Sequence, residues 1–258
     1  MGHLSTAKSP QQMFGAMVKS DYAEVAGIDP KNIVSVSSMP CTAKKAEAKR
    51  PEMSADGYQD VDFVLTTREL ARMIKESAID FNSLAEQEYD APMGLSSGAG
   101  VIFGTTGGVM EAALRTVVEK LTGKPLERIV FNEVRGQKLI REATLDVAGT
   151  AVKIAVVDTL KEVKKMLEKV RAGTADYHII EVMSCPDGCI GGGGQPYYKG
   201  KDVRTKRQQA IYDCDADCTI RKSHENPAIV EIYEKFLGEP LSEKSHKYLH
   251  VHHYQQKR

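Results

Sequence analysis

The sequence predicts an α/β fold, and two observations predict it. Apolar segments of strand length lead repeatedly into helices with start signals, at Thr66 and again at Thr159. Two further strand-like segments, 33–38 and 177–183, deliver the chain into cysteine-bearing loops instead. The 258 residues suffice for a buried core without disulfide or metal staples. Hydrophobic residues at 41% and charged residues at 27% exclude disordered and fibrous classes. Basic and acidic residues number 35 each, so charge gives no reason to expect nucleic acid or a membrane surface as partner.

The elements follow in order. Ser9-Pro10-Gln11-Gln12 reads as a capping box with proline at the first helical position, and Gly27 ends the helix after about four turns. Ile33 to Ser38 alternates as a strand and hands the chain to Met39-Pro40-Cys41. Asp62 to Thr66 is a second strand, and Thr66 with Glu69 forms a capping box opening a helix to about Ser77. The uncharged run from Ala91 to Met110 holds six glycines and is too interrupted to span a bilayer, so it reads as a loop feeding a helix. Met110, Ala113, Leu114, Val117, Val118 and Leu121 fall at helical spacing, with Gly123 and Pro125 as the stop.

Ile129 to Val134, Leu139 to Leu145 and Ala151 to Val157 read as strands, the first two as an antiparallel pair around Gly136. A helix from about Thr159 to Ala172 and a strand from Tyr177 to Met183 follow. That strand leads into Cys185-Pro186-Asp187-Gly188-Cys189 and four glycines, which let the backbone approach something bulky. Beyond Pro196 the texture turns charged and helical, with a boundary placed near Gly200, a helix from Asn226-Pro227 to Gly238 and a histidine-rich tail.

Five cysteines do not make a simple disulfide framework, and the polar segment Met1 to Gly15 lacks the apolar core of a signal peptide, which points to a reducing, cytoplasmic compartment. Cys185 and Cys189 alone support two readings, a flexible turn with buried thiols or a soft-metal site; zinc lacks a second matched pair nearby and the spacing excludes a redox CxxC.

The surrounding residues are more specific. Met39-Pro40-Cys41-Thr42-Ala43-Lys44-Lys45 and Met183-Ser184-Cys185-Pro186-Asp187-Gly188-Cys189-Ile190-Gly191-Gly192-Gly193-Gly194-Gln195-Pro196 closely resemble the second and third active-site signatures of FeFe-hydrogenases. The likeness extends through Leu4 to Gln12, Phe103 to Glu111 and Arg221 to Pro227, and so covers essentially the whole chain. It implies two lobes of mixed β-sheet flanked by helices with the cluster site between them, then a helical C-terminal tail. It also implies, over 1–200, part of the C-terminal (H-cluster) domain of the large subunit, and a small-subunit-like segment over 201–258.

The resemblance further implies an H-cluster: a 4Fe-4S cubane on cysteine thiolates, bridged to a two-iron subcluster that carries CO, cyanide and a bridging amine dithiolate. Carried over motif by motif, Cys41 and Cys185 resemble cubane ligands and Cys189 the bridging ligand. Lys44 falls where the family sets a cation against a cyanide. Met39 and Met183, with Pro40, fall beside the two-iron unit, Phe103 lines the cluster pocket, and Ser5 falls in the proton relay. As isolated residues the methionines default to core and Ser5 to a surface hydroxyl. Lys45 has no counterpart role and reads as a solvated charge.

The first family signature, a Thr-Ser-Cys-Cys-Pro segment upstream of Leu4, is not in the sequence. Truncation, a split enzyme and a relict are the three explanations. The implied activity is reversible oxidation of hydrogen to protons and electrons. The implied partners are the missing segment or a partner protein that bears it, hydrogenase maturation proteins, and ferredoxin or an NAD(P)-linked electron partner. Two rivals stand beside this reading: a non-catalytic iron-sulfur assembly protein of the prelamin-A recognition factor-like type, and an interaction subunit with vestigial cysteines. Cys214 and Cys218 lie outside the family motifs, and His246, His250, His252 and His253 read as a structural tail.

Overall fold

Strand pairing in the computed structural model sorts the β-structure into two small sheets, each flanked by helices, as the sequence predicts. The structure describes residues 2–198, 200 and 202–252, so His253 lies outside the described residues. The chain divides into two compact units, Met1–Gly94 with Pro227–Arg258, and Leu95–Asn226.

In the first unit, β1 (Val36–Met39) pairs in parallel with β2 (Phe63–Thr66), Met39 opposite Thr66. Strand β2 runs straight into the helix Thr67–Glu76 through the predicted capping box. The Thr66 hydroxyl accepts the Glu69 N–H at 3.2 Å, and the Glu69 carboxylate accepts the Thr66 N–H at 2.8 Å. The first helix, Pro10–Met17, continues through a π turn at Val18–Tyr22 into Ala23–Ala26 and stops at Gly27, whose φ of +65° suits glycine.

The capping box expected at Ser9 does not form. The Ser9 hydroxyl donates to Glu47 Oε2 at 2.8 Å, because a hydrogen bond to a carboxylate is worth more than a neutral cap. Ala16 and Met17 of this helix pack with Phe236, Leu237 and Tyr248 from the C-terminal segments Tyr233–Leu237 and Glu243–Leu249. A buried ion pair, Lys8 with Asp60 at 2.8 Å, adds a polar tie. In the tail, His246 and His250 stack at 4.6 Å between ring centroids, and Thr6 meets His250 Nδ1 at 2.8 Å.

In the second unit, β3 (Ile140–Val147) and β4 (Thr150–Asp158) form an antiparallel hairpin turning at Ala148-Gly149. Strand β4 also pairs in parallel with β5 (Ile179–Met183), the helix Leu160–Arg171 making the crossover. The strand expected at Ile129–Val134 is a correction: that segment is loop, and the hairpin lies one strand further on. Its apolar residues serve the core, Phe131 and Val134 packing with Met110 and Leu114. The carbonyls of Val134 and Gly136 are taken by the Arg141 guanidinium at 2.9 and 3.0 Å and are lost to any ladder.

The helix Gly108–Thr122 ends as predicted at Gly123, φ +65°. Within it, Arg115 is wholly buried. Its guanidinium donates to both Asp215 oxygens (2.7 and 2.8 Å), to Glu111 (2.7 Å), and to the carbonyls of Ile129 and Arg221. Asp215 belongs to the helix Asp202–Asp217. Burial alone would raise its pKa, but Arg115 and Arg221 bring it down to about 2. Among the described residues no helix is long and apolar enough to cross a membrane.

Two predictions arise here. Asp215→Ala leaves Arg115 buried without its main partner and should cost about 3–5 kcal/mol, read by urea unfolding. A loss under about 1 kcal/mol would mean that the network carries little of the fold's stability. Glu119 is held at about pKa 2 by Lys222, the Leu126 N–H and His224. A carboxylate depressed in the folded state contributes stability that is complete above its unfolded value and lost as pH falls through the folded one. Acid titration of stability should therefore drop less steeply between about pH 5 and 2 in Glu119→Gln than in the parent.

Candidate functional site

In the first unit β1 ends at Met39, which packs half-buried against Ala48, Val61 and Val64, and the chain turns through Pro40 and Cys41, both half-buried. The helix Ala43–Glu47 starts two residues later, so Lys44 lies in its first turn. Lys44 pairs with Glu47 at 2.9 Å, and each side chain is about one-fifth exposed, 22% and 21%. Glu47 Oε2 also accepts from Ser9, and the Gln11 amide reaches the Lys44 carbonyl at 3.4 Å. A cation, a carboxylate, a hydroxyl and an amide thus gather on the segment that carries Cys41.

Lys45 keeps the expected surface position but is paired. Its Nζ donates to the Val64 carbonyl at 2.8 Å and pairs with Glu69 at 2.7 Å, which helps hold the Glu69 carboxyl at about 2. Lys45 is a clamp between its helix and β2. Ser5 lies on an exposed segment, its hydroxyl accepting the Ala7 N–H at 3.2 Å.

In the second unit β5 ends at Met183, opposite Asp158 on β4, and the Cys185–Cys189 loop follows. Its centre is held from both sides. The Asp187 N–H donates to Asp158 Oδ2 at 2.8 Å, and the Asp187 carbonyl accepts the Thr106 N–H at 3.1 Å. The Asp187 carboxylate meets Arg204 at 3.1 Å. Gly188, at φ +88°, is needed because a Cβ would fall 2.7 Å from the Thr106 nitrogen. At Gly191 a Cβ would fall 2.1 Å from the Pro186 carbonyl oxygen. There the close approach is to the loop's own backbone. Cys185 and Cys189 are half-buried, and none of the five cysteines forms a disulfide. Phe103 is half-buried in the turn Ile102–Gly104 against Ala99, Ile102 and Ala112.

The electrostatics behind this loop were not legible in the motifs. Glu181 on β5 accepts the Gly107 and Met110 N–H groups, both at 2.6 Å, at the start of the helix Gly108–Thr122. Burial pushes its pKa up, and these amides oppose the rise. Burial likewise raises Asp158 and lowers Arg141, whose guanidinium donates to the Thr106 hydroxyl at 2.8 Å. The only pointer in the sequence was the stretch from Phe103 to Glu111, which carries both threonines.

The donor chemistry fits an iron-sulfur group. The thiols of Cys41, Cys185 and Cys189, all half-buried and outside disulfides, are the soft donor type that iron-sulfur clusters take. Buried side-chain atoms with no hydrogen bond among the described residues are Gln11 Oε1, both amide atoms of Gln12, Asp158 Oδ1 and Tyr212 Oη. Buried polar atoms are normally satisfied; of these residues, Asp158 bonds the Cys185–Cys189 loop through its other oxygen, and Gln11 reaches the Lys44 carbonyl near Cys41. By contrast, Glu119, His224 and Glu225 could converge on a metal, but Lys222 already pairs with both carboxylates at 2.7 Å.

Comparison with known proteins gives the same chemistry a family. Residues 1–193 match the family model described as iron only hydrogenase large subunit, C-terminal domain, and residues 201–256 match iron hydrogenase small subunit. The chain belongs to the iron-only hydrogenase family. It is 52% identical over 255 residues to NADP-reducing hydrogenase subunit HndD of Solidesulfovibrio fructosivorans, covering 98% of this chain and 43% of that protein. It is also 52% identical over 198 residues to the periplasmic [Fe] hydrogenase large subunit of Nitratidesulfovibrio vulgaris, covering 77% and 47%. The chain therefore spans under half the length of these relatives.

The structure of apo FeFe-hydrogenase HydA1 from Chlamydomonas reinhardtii superposes with a TM-score of 0.82 at 44% identity, over 96% of this chain and 69% of that one. More distantly, mouse cytosolic iron-sulfur assembly component 3 is 31% identical over 96% of this chain and 53% of that protein.

The orphaned amide is directly testable. Gln12→Met keeps the volume and removes two unsatisfied polar groups, so the apo chain should gain about 1–3 kcal/mol in urea unfolding. No gain would mean that the amide is satisfied in solution.

Proposed function

We propose that this chain is the C-terminal, H-cluster-holding portion of an FeFe-hydrogenase, whose complete form reversibly oxidises hydrogen to protons and electrons. The observation that carries the reading is the placement of all three motif cysteines on loops directly beyond β1 and β5, in a chain of this family. Cys41 and Cys185 serve as cubane ligands and Cys189 as the ligand shared with the two-iron subcluster. When bound, that group supplies the electron relay and the iron at which hydrogen is made or split.

The chain's own residues hold and shield it. Lys44 is fixed by Glu47 through one of three ammonium donors and keeps two for an anionic ligand such as cyanide. Met39 and Pro40 in the first unit, and Met183 and Phe103 in the second, supply apolar, polarizable side chains beside the cysteine loops that would exclude water from the group. Asp158 and Thr106 fix the loop peptide between Cys185 and Cys189, so the spacing of those two thiolates is set before any group binds. Ser5, exposed near the start of the chain, receives protons from a relay continued by the segment with the adjacent cysteines.

That segment, upstream in the same protein or on a separate partner, completes the ligand set. Maturation proteins install the two-iron unit, and ferredoxin or an NAD(P)-linked partner exchanges electrons. The division into a large-subunit part over 1–200 and a small-subunit-like part over 201–258 is supported by where the two family matches stop and start, residues 193 and 201. Cysteines outside disulfides suit a reducing, cytoplasmic setting. The lower identity to the iron-sulfur assembly component weighs against the assembly reading.

Anaerobic reconstitution with iron and sulfide, alone and with the adjacent-cysteine segment supplied, should yield a cubane signal by electron paramagnetic resonance that Cys185→Ser abolishes. No cluster in either format would leave an interaction subunit with vestigial cysteines. In the matured complex, Lys44→Ala should lower hydrogen evolution by about 10- to 100-fold. Unchanged turnover would remove the cyanide role.

A further inference from the structure

Two of the five cysteines take no part in the proposed cluster. Cys214 and Cys218 sit four residues apart at the C-terminal end of the helix Asp202–Asp217. Cys214 is exposed and Cys218 half-buried. The helix closes with the Cys218 N–H donating to the Asp215 carbonyl at 3.3 Å, a tighter turn than the α-helix before it. Residues four apart on a helix surface have Cβ atoms about 5–6 Å apart, and a disulfide requires about 3.5–4.5 Å. At a helix end the last turn can yield to bring the two Cβ atoms closer, which a helix interior resists.

We infer that Cys214 and Cys218 form a dithiol that exchanges with low-molecular-mass disulfides and closes to an internal disulfide. Cys214 attacks first, since it is the accessible sulfur. Its thiolate displaces one thiolate of the incoming disulfide, leaving a mixed disulfide on Cys214. Cys218 then gives up its proton to solvent and attacks the Cys214 sulfur, and the second thiolate leaves. The net change is one dithiol oxidised and one small disulfide reduced to two thiols. Burial, Cys214 and Asp215 hold the Cys218 thiol above its ordinary pKa, which suits a resolving thiol that becomes reactive only once a sulfur electrophile is beside it. Asp213 and Asp217, both exposed, flank the pair and favour a cationic disulfide over an anionic one.

The bond would form around Asp215, whose carboxylate holds Arg115 and Arg221 at 2.7 and 2.6 Å. Oxidation therefore modifies the turn that anchors a buried charge network. The inference is independent of the hydrogenase reading, since neither cysteine belongs to the motifs that carry it.

The full-length chain, kept anaerobic, is treated with cystamine, quenched with N-ethylmaleimide and digested with trypsin. Both cysteines fall in one tryptic peptide, Gln208 to Arg221, which contains no other cysteine. The expected product is that peptide with neither adduct and two hydrogens fewer, formed through a transient cysteamine adduct. In Cys218→Ser the adduct on Cys214 should persist. In Cys214→Ser the modification of Cys218 should slow by about tenfold or more. A stable adduct on the parent peptide, or disulfides from Cys214 or Cys218 to other cysteines as the main product, would overturn the inference. So would a Cys218→Ser variant whose adduct clears as fast as the parent's.

Discussion

One buried guanidinium organises the larger of the two units. Arg115 is a full cation without contact to water, an arrangement that costs several kcal/mol unless every donor is matched. Its matches come from four separate stretches: Glu111 on its own helix, the Ile129 carbonyl, Asp215 and the Arg221 carbonyl. Arg135 adds a second cation against Glu111 at 2.7 Å. Because removing either side strands a charge, the helices Gly108–Thr122 and Asp202–Asp217 and the loop from 129 to 135 are fixed together. That explains why an apolar loop segment can serve as core without forming a strand.

The same unit spends polar groups on the cysteine loop. Glu181 gathers the first amides of the helix Gly108–Thr122, and Thr105 and Thr106 follow from the turn before it. The Thr105 hydroxyl accepts from Gln208 at 2.8 Å, and the Thr106 N–H reaches the Asp187 carbonyl. The loop conformation, with Asp187 and Gly188 both at positive φ, is thus over-determined from outside. A loop held this firmly would spend little ordering entropy on binding a ligand. The orphaned atoms of Gln11, Gln12 and Asp158 are the complementary feature, buried polarity that the fold itself leaves incomplete.

Much of this was legible along the chain, for a local reason. The Thr66–Glu69 box and the glycine stops at Gly27 and Gly123 depend on residues within a few positions of one another. The misreadings share the opposite cause. Ser9 found Glu47, 38 residues away, and abandoned its cap. Residues 129 to 134 read as a strand, yet Arg141 takes the Val134 carbonyl, and the Phe131 and Val134 side chains fill the core.

By itself the sequence determined the family chemistry, because the cysteine motifs place soft donors at fixed offsets from strand ends whatever surrounds them. Only the tertiary structure decided which charges are buried and which atoms lack partners. Arg115 and Asp215 are 100 residues apart in sequence, and no local periodicity records that one will neutralise the other. Burial sets the cost of a charge and the partner removes it, and both are properties of the packed chain.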